Sequence, residues 1–367
     1  MVGGVSGLIR TAVQKNYDVR IAATRVLEAR AQLGITRADQ LPTVAVGGNE
    51  TNSRFASVGP FPAYQTTYGQ LTASAAWNLD FWGRYRRATE AARATLLANE
   101  WARQQVIATL VANVATDYFT LRELDLELVI SKRTLLSRQD SLQLTQTKEQ
   151  HGLATLLDVR QAEQLVDTAQ TTITDLERQI TQQENNLSIL LGNNPGDIPR
   201  GLLLTEQPHA PEVPVGIPSG LLGRRPDIRE AEESLISANA EIGVARAQYF
   251  PQISLTGDAG FQSSALNGLF TGGTGLWSLA GSVTQPIFQG GRLKNNVRFT
   301  EAQKEQFVLA YQQRSRARFV MFRMHLSPIA RIASSGSSRN NCWQLQRMPH
   351  SSPRSGSEPA KPTISKY

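Results

Sequence analysis

Ala31-Gln32-Leu33-Gly34-Ile35-Thr36-Arg37-Ala38-Asp39-Gln40-Leu41-Pro42 is met again 209 residues later as Ala240-Glu241-Ile242-Gly243-Val244-Ala245-Arg246-Ala247-Gln248-Tyr249-Phe250-Pro251. Ala31, Leu33, Gly34, Ile35, Arg37, Ala38 and Pro42 all find an identical or similar residue at that spacing. Working outward, Asp18-Val19-Arg20 recurs as Asp227-Ile228-Arg229, and Val44, Val46 and Gly48 recur as Ile253, Leu255 and Gly257. After a slip of one or two residues, Phe81-Trp82-Gly83-Arg84 matches Phe288-Gln289-Gly290-Gly291-Arg292. So many matches at one offset indicate an internal duplication, which sets the architecture.

Each repeat reads helix, strand, loop, strand, long helix. The first helix is expected from about Leu8 to Ala38 and its counterpart from Asp227 to Gln248. Pro42 and Pro251 end them, because proline lacks a donor and disfavours helix in the residue before it. Alternation then predicts strands at about 42–50, 66–80, 251–262 and 276–288. Leu71, Ala73, Ala75, Trp77 and Leu79 share one face, opposite Gln70, Thr72, Ser74, Ala76 and Asn78. Ile253, Leu255, Ala259 and Phe261 oppose Gln252, Ser254, Thr256 and Asp258, and Trp277, Leu279, Val283 and Ile287 oppose Ser278, Ala280, Ser282 and Thr284. A soluble sheet with one face on a core is the common meaning of such a pattern. Two details favour lipid: the polar faces almost lack Lys and Glu, and the strands reach the roughly 9–11 residues a tilted membrane crossing needs. Four strands cannot close a pore, and open edges are forbidden in hydrocarbon, so several chains must share the barrel. A trimer giving twelve strands is the simplest closed solution.

From Gly83 to about Leu191 no proline interrupts the chain. Ile107, Val114, Leu121, Leu128, Leu135 and Leu142 fall at seven-residue intervals, as do Val159, Val166, Ile173, Ile180 and Leu187 after a break at His151-Gly152. Sustained heptads predict two antiparallel coiled-coil helices joined at Gly152. Gly192-Asn193-Asn194-Pro195-Gly196 supplies the stop. The first helix, of about 65 residues, would be roughly 100 Å long, too long for a globular core.

The 367-residue chain carries a net +7, but the charge is unevenly placed. Residues 314–367 hold ten Lys/Arg and one acid, so the other 313 residues carry a net −2. That tail also holds the only cysteine, Cys342, and eleven serines. Composition changes in the middle of a helical pattern, which suggests a shifted reading frame; a basic nucleic-acid-binding arm is the alternative. The abrupt start, without a basic and apolar leader, predicts either a cytosolic protein or a missing targeting segment. A chain cut at both ends is therefore expected.

Enzyme chemistry finds no support. One cysteine excludes a disulfide framework and a thiolate zinc site. His151 and His209, the only histidines before the tail, are too isolated for a metal site or a triad. Gly272-Gly273-Thr274-Gly275 lacks the lysine and following helix of a phosphate loop. No cofactor is expected.

The duplicated frame, the run Gly223-Arg224-Arg225-Pro226-Asp227-Ile228-Arg229-Glu230-Ala231-Glu232, the run Ala245 to Pro251, the turn Phe288 to Arg292 and the string His151-Gly152-Leu153-Ala154-Thr155-Leu156-Leu157-Asp158-Val159-Arg160-Gln161-Ala162-Glu163 together resemble the TolC-like outer-membrane factors, and within them the NodT-type lipoproteins. The resemblance covers residues 8 to about 313. It implies an α+β membrane protein: a homotrimer whose twelve-stranded outer-membrane barrel continues into an α-helical barrel across the periplasm. It further implies a passive duct for drugs or other small molecules, in contact with outer-membrane lipid and not with nucleic acid. An inner-membrane pump would drive it through a periplasmic adaptor docking on the hairpin tip, here His151, Gly152, Leu153, Ala154 and Thr155. Residues 1–196 would form the first repeat and 197–313 the second, with 314–367 a tail. Two departures stand out. The signal peptide and lipidation cysteine of such proteins have no counterpart, and the second long hairpin, starting at Gly291-Arg292-Leu293, loses its pattern after Gln313. The competing expectation is a non-transporting, soluble coiled-coil protein with only a structural or interaction role.

Overall fold

A computed structural model describes residues 3–207 and 223–317. The expectation of a frame-shifted or nucleic-acid-binding tail falls almost wholly outside them. The described residues up to Arg314 form one unit. In chain order its elements are α1 (Gly3–Lys15), α2 (Tyr17–Ala38), β1 (Thr43–Phe55), β2 (Tyr64–Leu79), α3 (Arg84–Gln150), α4 (Leu156–Leu190), α5 (Pro226–Ala247), β3 (Gln252–Ser263) and β4 (Gly275–Thr284). A last helix, α6, starts at residue 292 and is still helical at 314.

Where one helix was expected from Leu8 to Ala38, the structure has two. Asn16 leaves helical backbone angles (φ −58°, ψ 133°), and its carboxamide oxygen accepts the amides of Asp18 and Val19 at 2.8 and 3.2 Å. Its Nδ2 donates to the Leu190 carbonyl at 3.0 Å, and the residue is only 4% exposed. The side chain therefore caps α2 and ties the bend to the end of α4.

α3 runs 67 residues, about 100 Å at 1.5 Å per residue, and α4 returns along it. The heptad positions form the seam: Val114, Leu121 and Leu187 are fully buried, Val159 is buried, and Leu128, Leu135, Leu142, Val166, Ile173 and Ile180 are half-buried. At mid-hairpin α1 adds a third layer, with Val5, Leu8 and Ala12 closing over Val114, Tyr118 and Leu121. Nearer the sheet, α3 meets α5 through small residues, Ala91, Ala94 and Ala98 on one side and Ala231, Ala238 and Ala245 on the other. Thr95 and Ser237 hydroxyls meet there at 3.0 Å, and a Cβ on Gly243 would lie 3.0 Å from Arg87 Cγ. α6 is tied back to α5 by Arg246–Glu301 at 2.8 Å and Arg314–Glu230 at 3.2 Å.

The four strands form one antiparallel sheet in the order β1-β2-β3-β4. Its register aligns Val46 with Ala73, Ala259 and Trp277, and Ala45 with Ser74, Asp258 and Ser278. Opposed residues share a face, so Val44, Val46, Leu71, Trp77, Leu79, Ile253, Leu255, Phe261, Trp277, Leu279 and Val283 fall on one side and Gln70, Thr72, Ser74, Asn78, Ser254, Thr256, Asp258, Ser278 and Ser282 on the other. No layer covers the apolar side: Val44 and Val46 are 73% exposed, Trp277 81% and Leu279 75%. Within the described residues, β1 and β4 each keep one unpaired edge. β1 runs on past the expected residue 50 to Phe55, whereas β4 stops at Thr284 rather than near 288. Pro286 cannot donate to a ladder, and the Gln285 side chain instead donates to the Tyr249 carbonyl at 2.9 Å. Sheet and helices are locked at their junction by Trp82, whose indole donates to Pro251 O at 2.7 Å while its ring stacks on Phe250.

Candidate functional site

The hairpin tip is built by two helix ends. At the close of α3, Gly152 takes φ +70°, and the amides of Gly152 and Leu153 reach back to Glu149 O (2.9 Å) and Lys148 O (2.8 Å). This pair satisfies the last carbonyls of α3 with a left-handed glycine, so the chain can turn within five residues. His151 Nδ1 lies 2.7 Å from the Thr147 carbonyl, which only accepts, so this nitrogen carries the proton.

At the start of α4, Thr155 and Asp158 form a reciprocal cap. The Asp158 amide donates to Thr155 Oγ1 at 3.3 Å, and the Thr155 amide donates to Asp158 Oδ2 at 2.8 Å. The backbone N–H of Thr155, then its hydroxyl, hold the Asp158 carboxyl below its ordinary value. Both partners stay solvent-exposed, so the cap shapes the tip without a core beneath it.

All five residues expected at the tip lie there together: His151, Gly152, Leu153 and Thr155 exposed, Ala154 half-buried. Sequence reasoning left out two neighbours that share the surface. Leu153, Leu156 and Leu157 are 78%, 60% and 66% exposed and make an apolar knob at the end of a polar rod. A run of leucines at a helix start ordinarily signals core, so only the structure separates these from the buried Val159.

Midway along the hairpin, Arg122 is 5% exposed and spans Asp125 (2.7 Å) and the Leu202 carbonyl (3.2 Å). Arg200 joins Asp125 to Glu184, binding the segment after α4 across both helices. Glu241 lines an open groove of about 600 Å³ between α2, α3 and α5, beside Arg25, Glu28 and Asn99, and burial pushes its carboxyl up. Among the described residues no cluster of His, Cys, Asp or Glu could hold a metal ion. No described helix is long and apolar enough to cross a membrane, which says nothing of a β-barrel.

The family model described as outer membrane efflux protein matches residues 8–193 and 217–326. The probable efflux pump outer membrane protein TtgC of Pseudomonas putida is 38% identical over 314 residues, covering 83% of this chain and 64% of TtgC. The cation efflux system protein CusC of Escherichia coli is 34% identical over 313 residues, covering 84% of this chain and 67% of CusC. A crystal structure of CusC superposes with a TM-score of 0.80 at 34% identity, over 86% of this chain and 73% of that one. The open-state MtrE outer membrane channel of Neisseria gonorrhoeae gives 0.77 at 32% identity, over 86% and 71%. The chain thus spans under two thirds of the TtgC sequence.

Proposed function

Because the chain belongs to the outer membrane efflux protein family, we propose that it is a subunit of an outer-membrane channel, the passive exit duct of a tripartite efflux pump. One observation carries this: a four-stranded sheet with an uncovered apolar face, a Ser/Thr-rich opposite face and two free edges, set at the end of a hairpin about 100 Å long. In water that apolar face is a liability, and in lipid it is the required exterior. The free edges must be paired in hydrocarbon, and three copies would close twelve strands with β1 of one beside β4 of the next. The long hairpins would then line up as staves of a helical barrel spanning the periplasm. The duplicated helix–strand–strand–helix frame supports this geometry, because two repeats place two hairpin strands each on one sheet.

The duct does no chemistry; it lets cargo diffuse, and the energy comes from an inner-membrane pump. The exposed leucines at the tip supply an apolar contact for the periplasmic adaptor joining the two, with His151, Gly152, Leu153, Ala154 and Thr155 as the docking surface. The small residues Gly152 and Ala154 let a partner backbone approach closely. Two measurements test the proposal: the mass of the detergent-extracted assembly and conductance in a planar lipid bilayer. A particle of three chains of 40.3 kDa that gives discrete conductance steps is expected. A water-soluble monomer that leaves the bilayer silent would overturn it.

A further inference from the structure

The β1–β2 hairpin outruns its neighbours. β3 ends at Ser263, opposite Gly69, which pairs with Glu50; β1 and β2 continue for five more pairs to Phe55 and Tyr64. At about 3.4 Å per residue, roughly 17 Å of two-stranded ribbon stands beyond the rest of the sheet.

Along this overhang the apolar face turns polar and the other face gains aromatic rings. Below Glu50 the apolar face bears Val44, Val46, Leu71 and Trp77; above it the same face bears Asn52, Arg54, Gln65 and Thr67. Asn52 and Gln65 are hydrogen-bonded there at 2.8 Å. The lipid-compatible band therefore stops at the row of Glu50, Gly69 and Ser263. The opposite face, which lower down is lined by Thr72, Ser74 and Asp258, keeps the hydroxyls of Thr51, Ser53 and Thr66 and gains rings: Tyr68, then Tyr64 and Phe55 at its end. Phe55 and Tyr64 stack with centroids 4.8 Å apart and planes 20° from parallel, yet remain 46% and 59% exposed. Among the described residues no core covers the two large rings on this side of the ribbon.

We propose that the Phe55–Tyr64 pair is a stacking site for planar organic cations at the outer mouth of the duct. The proposal rests on the channel function above, which makes the Ser/Thr-rich face the pore side. Ring faces attract cations, and stacking accepts any planar π system without a fixed hydrogen-bond pattern, as suits varied cargo. Charge selects the cation. Among the strand residues, Asp258 is the only charged side chain on the pore-side face, and both other charges, Glu50 and Arg54, lie on the outer face. Cargo of positive charge thus meets a carboxylate midway and an aromatic platform at the exit.

The test is rhodamine 6G binding to the full chain in a non-ionic detergent, followed by fluorescence anisotropy. Phe55→Ala and Tyr64→Ala should each weaken binding by about two- to fivefold, the range of an exposed cation–π contact. Phe261→Ala, on the outer face, should leave binding unchanged, and fluorescein, an anion of similar shape, should bind more weakly throughout. Equal affinity in wild type, Phe55→Ala and Tyr64→Ala would overturn the proposal. Conductance of the same samples separates the two levels. A chain that conducts but shows no loss on Phe55→Ala loses the stacking site alone, whereas one that never conducts loses the duct and the pore-side assignment with it.

Discussion

The phenolic oxygen of Tyr118 accepts the backbone N–H of Gly201 at 2.9 Å, joining the middle of α3 to the segment that follows α4. A Cβ on Gly201 would sit 2.9 Å from that oxygen, and one on Gly4 3.1 Å from it, so both glycines are there to let the chain close over the ring. With Tyr118 fully buried, this contact fixes where α1 and the strap lie on the hairpin. Tyr118→Phe should therefore cost about 1 kcal/mol, one net hydrogen bond, while Tyr118→Ala should cost about 3–5 kcal/mol by opening a cavity. Urea midpoints in detergent measure both.

Asn16 serves two helices at once, so its loss should exceed that of an ordinary cap. Asn16→Ala removes the acceptor for the Asp18 and Val19 amides and the donor to Leu190 O. The expected destabilisation is about 1–2 kcal/mol, with Asn16→Asp retaining the cap but not the Leu190 bond. Hydrogen exchange should quicken at the start of α2 in the alanine variant and not in the aspartate one.

The Thr155–Asp158 cap makes the tip sensitive to acid. The folded Asp158 carboxyl titrates below its unfolded value, so its contribution is present above the unfolded value of about 4 and is lost as pH falls through the lower folded value. Protection of the Asp158 and Val159 amides, measured against the intrinsic exchange rate at each pH, should thus be high at neutral pH and fall below about pH 4. Thr155→Ala should quicken exchange about fivefold at neutral pH, the effect of losing one N-cap.

The apolar knob at the tip should matter for docking and not for folding. Leu153→Ser and Leu157→Ser change side chains that are 78% and 66% exposed, so the unfolding midpoint should move by less than about 0.5 kcal/mol equivalent. Co-purification with a periplasmic adaptor should fall in the same variants. An unchanged yield of the complex would remove these leucines from the docking surface.

Much of this was legible from residue order because two periods announce themselves. Strict alternation from Leu71 to Leu79 and from Ile253 to Phe261 placed β2 and β3, and the observed register puts the alternating residues on common faces. The heptads located α3 and α4, and the left-handed glycine at 152 located their turn. Other features left no such mark. The bend at Asn16 keeps helical hydrogen bonds on both sides, so the periodic pattern runs straight through it. The α3–α5 contact is made of alanines, which barely register as hydrophobic, and its position depends on close approach of two backbones. The overhang left no such mark because Thr51 to Arg54 and Gln65 to Thr67 are polar throughout, with Phe55 and Tyr64 at the end on what had been the polar side. At the tip, Leu156 and Leu157 look like core residues in sequence and prove exposed, while Val159 in the same first turn of α4 is buried.

The central claim is that the face holding Val46, Leu71 and Leu279 meets lipid while the opposite face meets water. The most direct test is to place one charge on each side and measure stability after folding into phospholipid vesicles. Leu279→Lys puts an ammonium on the apolar face, and Thr256→Lys, nearby on the adjacent strand, puts one on the other. Leu279→Lys should lower stability in the bilayer by about 2–4 kcal/mol, the cost of a midplane lysine, with Thr256→Lys close to wild type. Equal losses, or a larger loss from Thr256→Lys, would contradict the assignment of faces and with it the channel.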